Sequence, residues 1–226
     1  MIQNKEIFTT ADGSKTFYLP ELNEYYHSHH GAIQEAKHVF LKNGLFERSN
    51  QAEISIFEVG FGTGLNAFLT AIEAEKLKLQ ISYTGIEAFP LTSIEASEMT
   101  YTNNPDLELC DDLFTTIHAT EWNKEIEITA NFELTKINQK LQDIVLEKGQ
   151  FDIIYFDAFG PRVQDELWQL EIFQKLFDSL KPNGLFVTYC AKGQVKRDLK
   201  AVGFVVETLA GPPGKREMVR GRKLIS

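Results

Sequence analysis

The sequence predicts an α/β protein, built on a mostly parallel sheet with helices on both faces. From about residue 51 onward, strand-like and helix-like segments alternate, and several of the strands are near-continuous apolar runs. Strands of a parallel sheet are buried on both sides and are therefore apolar along their length. The length of 226 residues, with 43% hydrophobic residues, suits one domain of ordinary size.

Composition excludes several classes of protein. Seven prolines and 15 glycines are too few for a collagen-like or low-complexity chain. Every apolar run falls short of the roughly 18 residues of a membrane span, and the N-terminus lacks the apolar centre of a secretory signal. Cys110 and Cys190 make neither a disulfide framework nor a zinc cluster, and Cys190 is expected in the core. We therefore expect a cytoplasmic protein with no membrane contact and no metal.

Residues 1–50 are expected to form an N-terminal extension of short strands and one helix, ahead of a main domain at 51–226. A turn at Asp12-Gly13 leads into a short strand ended by Pro20, and a helical pattern then runs from Glu21 to Leu41. The extension holds four histidines that do not share one helical face, so we expect solvated or packing roles rather than metal ligands: His27, His29, His30 and His38.

The main domain is predicted to contain seven strands and at least four helices. Apolar runs place the strands at 54–60, 81–89, 132–137, 151–159, 185–191, 204–210 and 217–225. Three- and four-residue spacing of apolar side chains places helices at 65–77, 93–101, 166–180 and 193–201. Because parallel sheets bind ligands outside the carboxyl ends of their strands, functional residues are expected directly after strands.

A glycine-rich turn follows the first of these strands. Its spacing is G-x-G-x-G, with Leu65 where a dinucleotide fingerprint requires glycine. This form, with an acid two residues before the first glycine, is typical of Rossmann-like methyltransferases that use S-adenosylmethionine. That ligand has no pyrophosphate to cradle, but its ammonium and sulfonium groups favour a nearby carboxylate, directly or through water. The predicted cofactor-binding residues here are Glu58, Gly60, Phe61, Gly62, Thr63, Gly64 and Asn66. The alternative is a glycine turn in an unrelated βα unit.

Two more acids end strands. Glu87, followed by Ala88, lies 23 residues after Gly64, where a carboxylate grips the ribose hydroxyls. Asp157 ends the fourth strand beside the glycine turn, where it would contact the cofactor, orient an amine nucleophile and accept its proton. In the same turn, Phe159 is expected to stack on a base or sugar and Pro161 to stiffen the backbone. Alternatively, Glu87 is an acid that is merely exposed at a strand end, and Asp157 is an acid that forms the turn.

The motifs together resemble one known family. They are Phe57–Asn66, Asp157-Ala158-Phe159-x-Pro161, Trp168, Lys215-Arg216-Glu217-Met218, Asp12-Gly13-Ser14-x-Thr16 and His38–Leu41. From about residue 10 to its end, the chain resembles the methyltransferase domain of MnmC-type tRNA-modifying enzymes. The resemblance implies a Rossmann-like class I fold with a mostly parallel seven-stranded sheet, and S-adenosylmethionine as cofactor.

The resemblance also implies a reaction. The methyl group would go to the 5-aminomethyl group of the wobble (2-thio)uridine in a tRNA anticodon loop, giving 5-methylaminomethyl(-2-thio)uridine. Larger family members add a flavin-dependent oxidase, so we expect this chain to be the stand-alone form. Family members end one strand in Gly-Asp near the adenine, whereas the matching Leu134–Asn138 has no acid.

The charge of the chain leaves open the role of its basic cluster and the class of its substrate. The net charge of −9 argues against a general nucleic-acid binder. A basic cluster near the C-terminus consists of Lys215, Arg216, Arg220, Arg222 and Lys223. It is either a solvated strand face or a phosphate contact, and in the second case Lys215 and Arg216 are the predicted tRNA-binding residues. The alternative functions are a small-molecule amine methyltransferase or aminopropyltransferase on the same fold, and a non-catalytic S-adenosylmethionine-binding subunit.

Overall fold

The computed structural model describes residues 4–99, 101, 107 and 111–224. Cys110 therefore lies outside the described residues, as do Thr100 in the predicted helix 93–101 and Ile225 at the end of the predicted last strand. None of the helices within these ranges has the length and apolar character to cross a membrane. The same residues contain no group of three or more His, Cys, Asp and Glu side chains placed to hold a metal ion.

A mostly parallel sheet forms the centre of the molecule, which confirms the predicted fold class. Its strands are β4 (Glu53–Val59), β5 (Gln80–Glu87), β6 (Glu125–Thr129), β7 (Phe132–Asn138), β8 (Phe151–Phe156), β9 (Leu180–Thr188), β10 (Val205–Ala210) and β11 (Glu217–Arg222). They lie in the order β10-β11-β9-β8-β4-β5-β7-β6. The five inner strands from β9 to β7 are parallel, while β10, β11 and β6 run antiparallel to their neighbours.

The sheet has eight strands, one more than the predicted seven. The additional strand, β6, lies at one edge, where none of its five residues is fully buried. An edge strand needs no continuous apolar run; the alternation of glutamate and isoleucine in this segment is typical of a half-buried strand, and the prediction missed it because it relied on apolar runs. The remaining strands overlap the predicted ones, and every residue of β8 is buried, as expected for a central parallel strand.

Helices cover both faces of this sheet. They are α1 (Ala32–Ala36), α2 (Leu65–Leu77), α3 (Ser93–Glu98), α4 (Asp111–Ala119), α5 (Leu170–Ser179) and α6 (Gly193–Ala201). Ile56 and Tyr83 belong to a buried cluster with residues of α1, α2 and α4, whereas Phe57 and Phe156 pack with α5 and α6. Successive residues of a strand point to opposite faces, so β4 contributes to both clusters. Cys190 is 6% exposed, in agreement with the expected core position.

The N-terminal segment departs from the predicted long helix. A small antiparallel sheet of β1 (Glu6–Thr9), β2 (Lys15–Leu19) and β3 (Glu24–Tyr25) comes first. Helical structure begins only at Ala32 and continues as a π-helical stretch over Lys37–Lys42. The prediction of a helix from Glu21 was wrong because Asn23 adopts a positive φ of 50° and closes the turn between β2 and β3. Gly31, with φ 148°, then redirects the chain against Asp12.

Two arginines of the basic cluster are neutralised inside the fold. Arg220 is 7% exposed, and its guanidinium meets Glu207 at 2.6 Å and Glu47 at 3.0 Å. Arg222 contacts the same two carboxylates at 3.0 and 2.9 Å. Arg220 and Glu207 lie opposite each other on β11 and β10, so this network joins the edge hairpin to the N-terminal segment. These two arginines therefore have acidic partners within the protein.

We expect Arg220→Met to destabilise the protein far more than Arg216→Met. Removing Arg220 leaves Glu47 and Glu207 with Arg222 as their remaining cation, and because these carboxylates are about one-third exposed they also recover part of their hydration. We therefore expect a loss of about 1–2 kcal/mol in the free energy of unfolding. The side chain of Arg216 is 94% exposed, so its removal is expected to change this free energy by less than about 0.5 kcal/mol. Urea unfolding followed by circular dichroism measures both, and equal effects would contradict the structural role of Arg220.

Candidate active site

A cavity of about 550 Å³ opens at the carboxyl ends of β4, β5, β7 and β8. Its wall takes residues from the glycine turn, the segments after β5 and β7, the turn after β8 and the N-terminal segment. The sequence-predicted residues in this wall are Gly60, Phe61, Gly62, Thr63, Asn66, Glu87, Ala88, Asp157 and Phe159. Glu58, Gly64, Pro161, Lys215 and Arg216 are not part of it. Residues predicted from three separate segments are thus brought together at one edge of the sheet.

The glycine turn can exist only with glycine at its first position. Gly60 has φ 84°, and a Cβ there would stand 2.8 Å from the carbonyl oxygen of Asp157. The backbone amides of Gly60 and Phe61 both donate to the carbonyl oxygen of Ile86 at 3.1 Å. The turn is therefore pinned between β5 and the end of β8, and α2 begins directly after Gly64, whose φ is 71°.

Asn66 joins two carboxylates. Its side-chain amide donates to Glu58 Oε1 and to Asp157 Oδ2, each at 2.8 Å. Glu58 is fully buried, and burial raises the pKa of its carboxyl well above the ordinary range. Among the described atoms, Glu58 Oε2 and Asn66 Oδ1 are buried without a hydrogen-bond partner. Glu58 therefore acts on the cavity through Asn66 rather than by lining it.

The carboxyl group of Asp157 has a pKa above the ordinary range of an aspartate. Burial, together with the negative charge of Glu35, raises the pKa of Asp157 to about 7, against the effect of the Asn66 hydrogen bond. A carboxyl group with this pKa changes protonation near neutral pH, which suits a general base. Its backbone amide donates to the Val59 carbonyl oxygen at 2.9 Å, which fixes the residue beside the glycine turn.

Glu87 is held by backbone amides. Its Oε2 accepts from Gly62 N at 3.0 Å, and its Oε1 accepts from Phe89 N at 2.9 Å. Both carboxylate oxygens thus stay oriented at the cavity wall, and each retains a free lone pair. Asn138 lies opposite Glu87 in the sheet and donates to its carbonyl oxygen at 3.1 Å. The arrangement provides two directed acceptors for a diol.

The turn after β8 is braced from several sides. The Phe159 amide donates to Gln164 Oε1 at 2.9 Å, and Trp168 Nε1 donates to the Phe159 carbonyl oxygen at 2.8 Å. The ring of Phe159 meets that of Tyr26 edge to face, with centroids 5.2 Å apart. The two rings form an aromatic corner of the cavity.

Several cavity residues were not predicted from the sequence. Leu22, Tyr26 and His27 come from the N-terminal segment, where the histidines and aromatics were noted but not placed. Burial lowers the pKa of His27 to about 4, so its imidazole is neutral at physiological pH. The loop Gln139–Asp143 follows β7, and the rule that ligands bind after strands would have indicated it. Its Asp143 supplies an acid near the position where Leu134–Asn138 has none.

The side chains of Lys215 and Arg216 have different contacts in the structure. Lys215 is paired with Glu35, and its Nζ lies 3.8 Å from the centroid of the Tyr189 ring. The side chain of Arg216 is 94% exposed and approaches only Glu217, at 3.9 Å. The two residues that the sequence assigned jointly to tRNA thus have different surroundings.

A mostly parallel sheet, a G-x-G-x-G turn after β4 and an acid at the end of β5 together define the Rossmann-like class of methyltransferases. A family model described as S-adenosyl-L-methionine-dependent methyltransferase matches residues 108–224. The chain belongs to this family, and S-adenosylmethionine is its methyl donor.

Named relatives confirm the resemblance to MnmC-type proteins. The chain is 28% identical to the tRNA 5-methylaminomethyl-2-thiouridine biosynthesis bifunctional protein MnmC of Nitrosospira multiformis, over 97% of this chain and 36% of the relative. The protein of the same name from Burkholderia mallei is 30% identical over 91% of this chain and 34% of the relative. The chain thus spans about a third of the length of these relatives. The crystal structure of MnmC2 from Aquifex aeolicus matches with a TM-score of 0.80 and 25% identity, over 97% of this chain and 70% of that one.

The cavity fits this donor. The unpartnered Oδ1 of Asn66 is a buried acceptor on a cavity-lining residue, suited to the ammonium group of a methionine moiety. The two oriented oxygens of Glu87 suit ribose hydroxyls. We infer that the methionine end would lie by Asn66 and the ribose by Glu87, with the loop Gln139–Asp143 on the adenine side.

We expect Glu87→Gln to weaken binding of S-adenosylmethionine by roughly 10- to 100-fold, because hydrogen bonds to a charged group contribute about 1.5–3 kcal/mol. The glutamine keeps the shape but loses the charge and replaces one acceptor by a donor. Isothermal titration calorimetry measures the change. Glu147→Gln, in the exposed loop before β8 at the opposite edge of the sheet, serves as the control. A change below threefold for Glu87→Gln would exclude the ribose assignment.

Proposed function

We propose that this methyltransferase acts on the primary amine of a 5-aminomethyl group, carried by the wobble (2-thio)uridine of a tRNA anticodon loop. The product would carry a 5-methylaminomethyl group. The observation that carries the proposal is Asp157, a carboxyl group with a pKa of about 7 in the cavity wall beside the glycine turn. Similarity to MnmC proteins over nearly the whole chain supports the same substrate. The proposal places this activity in the cytoplasm.

The chemistry that the protein itself must supply is limited. When bound, S-adenosylmethionine provides an activated methyl carbon, whose bond to sulfur breaks as the bond to the amine nitrogen forms. The amine must attack as the neutral base, and Asp157 would accept a hydrogen bond from it and take up the proton that it loses. Asn66 holds the Asp157 carboxylate in place through its 2.8 Å hydrogen bond. The main contribution of the protein is thus alignment of the nucleophile.

The aromatic corner of Tyr26 and Phe159 supports a nucleobase as the substrate. The two rings, 5.2 Å apart and nearly perpendicular, bound the cavity close to Asp157. Proteins that modify a base in a single-stranded loop stack the splayed-out base on aromatic side chains. Phe159 would provide the stacking face, and Tyr26 would set the depth to which the base enters. The N-terminal segment therefore takes part in substrate binding in this proposal.

Two other functions make different predictions. A small-molecule amine methyltransferase or aminopropyltransferase would use the same cavity without a macromolecular contact, and a non-catalytic subunit would bind the donor without turnover. The experiment is to incubate the purified protein and labelled S-adenosylmethionine with bulk tRNA from a strain that lacks this protein. Incorporation into tRNA, with 5-methylaminomethyluridine found on nucleoside analysis, supports the proposal. Transfer only to small amines, or no transfer, would reject it.

We expect Asp157→Asn to lower kcat on this tRNA by roughly 10²- to 10⁴-fold, since a neutral amide cannot accept the proton. The affinity for S-adenosylmethionine should change much less. Single-turnover methyl transfer and calorimetry measure the two quantities. Asp165→Asn, in the same turn but bonded to Gln169, is the matched control. Unchanged turnover in Asp157→Asn would remove the assigned role.

A basic rim beside the cavity supports contact with the RNA backbone. The rim consists of Lys192, Arg197 and Arg216, all exposed. Lys196 in α6 binds Glu217 at 2.7 Å, which holds the start of α6 next to the residue that follows Arg216. These cations lie near the carboxyl end of β9, on the same edge of the sheet as the cavity. The rim, rather than the paired Arg220 and Arg222, is suited to meet phosphate groups.

We expect the double substitution Lys192→Gln with Arg216→Gln to weaken tRNA binding by roughly tenfold at moderate salt. Loss of two phosphate contacts should also reduce the slope of log affinity against log salt by about 1.5. Filter binding across a salt series measures both. Lys78→Gln with Lys148→Gln removes two exposed lysines before β5 and β8, at the opposite edge, and should leave the slope unchanged. Equal slopes for both double variants would refute the rim contact.

A further inference from the structure

The Lys215 side chain turns inward, although its neighbour Arg216 is fully exposed. Its ammonium group forms an ion pair with Glu35, whose side chain is 9% exposed, while that of Lys215 is 31% exposed. The same ammonium lies 3.8 Å from the centroid of the Tyr189 ring. A cation held by a carboxylate and an aromatic face is fixed in position.

Both ends of this ion pair are anchored to rigid backbone. Glu35 lies in α1, and its second oxygen accepts from the Ser28 amide at 2.8 Å. Lys215 lies in the tight connection between β10 and β11, where the Gly211 amide donates to the Arg216 carbonyl oxygen at 3.1 Å. A Cβ on Gly211 would stand 2.4 Å from the Lys215 carbonyl oxygen, so this connection has little freedom. The ion pair therefore joins the N-terminal segment to the last hairpin at a defined place.

The ion pair of Glu35 and Lys215 lies next to the turn that carries Asp157. Tyr189 follows β9, and its hydroxyl donates to the Ala158 carbonyl oxygen at 2.9 Å. Ala158 is bonded directly to Asp157. Contacts thus run from Glu35 through Lys215 and Tyr189 to the backbone of the Asp157 turn.

The charged groups around Asp157 indicate how this ion pair affects the pKa of that residue. In the described part of the chain, the charged groups that shift the pKa of Asp157 are the carboxylate of Glu35 and the ammonium group of Lys215; the buried carboxyl group of Glu58, whose own pKa is raised, also interacts with Asp157. Tyr83, Tyr101 and Tyr189 also face it but are uncharged at neutral pH. Lys215 lowers the pKa of Asp157, while Glu35 raises it. The two partners of one ion pair therefore act on Asp157 in opposite directions.

We propose that Lys215 is a positioning residue, which Glu35 and the Tyr189 ring hold beside the Asp157 turn so that the carboxylate is oriented and kept ionised. The importance of an ionised Asp157 rests on the proposed function, whereas the placement of the cation does not. The Lys-Arg-Glu-Met segment then has two separate roles: Lys215 serves the reaction centre and Arg216 serves the surface.

The test uses opposite changes in the two partners. Lys215→Met removes the cation and should move the Asp157 titration to higher pH by about one unit. Glu35→Gln removes the anion, leaves Lys215 in place and should move it to lower pH. The double variant removes both charges and should titrate between the two single variants. Lys215→Arg keeps the cation and should also leave the midpoint in place.

The midpoint is read by carbon-13 NMR of labelled aspartate carboxyl groups in the protein alone, with Asp157→Asn identifying the signal. Opposite shifts in the two single variants support the proposal. No shift, or shifts in the same direction, would overturn it, and if one variant does not fold, the direction in the other decides. Because no substrate is present, this result does not depend on the tRNA assignment.

The acid limb of the pH profile of kcat/KM, measured on undermodified tRNA, should shift in the same direction as the Asp157 titration midpoint measured by NMR. If the unmodified protein transfers no methyl group to tRNA, the proposed function fails while the NMR result still decides the role of Lys215. If tRNA is methylated but its acid limb stays in place in Lys215→Met and Glu35→Gln, the positioning role is wrong.

Discussion

The bridge made by the Asn66 amide is the interaction on which the rest of the site depends. One nitrogen donates to a fully buried carboxyl group on β4 and to the carboxyl group that follows β8. This requires β4 and β8 to be adjacent and parallel, so that Glu58 and Asp157 approach the first turn of α2 together. A buried acid without a partner would be costly, and Asn66 offsets that cost while orienting the second acid. The order of strands is thus tied to the geometry of the cavity.

The adjacency of β4 and β8 also explains why glycine is needed at the first position of the turn. Gly60 packs against the backbone of Asp157 with no room for a side chain. This contact fixes the backbone of Asp157 beside the turn, while burial of its carboxyl group and the negative charge of Glu35 raise its pKa. The turn thus determines where Asp157 lies, and the surroundings of its side chain determine its pKa.

Local signals in the sequence were sufficient for the strands and loops that carry this arrangement. Buried parallel strands are apolar along their length, so β4, β5 and β8 could be predicted, and Gly60, Glu87 and Asp157 followed from their positions after strands. The prediction failed in the N-terminal segment, where strand pairing replaces the expected helix. The segment from Glu21 has helical spacing, but packing of β3 on β2 and the turn at Asn23 override it. Tyr26 and His27 reach the cavity only through that fold, so no local pattern could place them.

The basic residues near the C-terminus show why a charge cluster cannot be interpreted from its sequence alone. Lys215 and Arg216 are adjacent, yet one faces a buried carboxylate and the other faces solvent. Arg220 and Arg222 lie on the same face of β11 as the buried Met218, where Glu47 and Glu207 form ion pairs with them. Glu35 and Glu47 are far away along the chain, and Glu207 lies opposite Arg220 on the neighbouring strand of the last hairpin. A net charge of −9 is therefore compatible with RNA binding, because what matters is which cations the fold leaves unpaired beside the cavity.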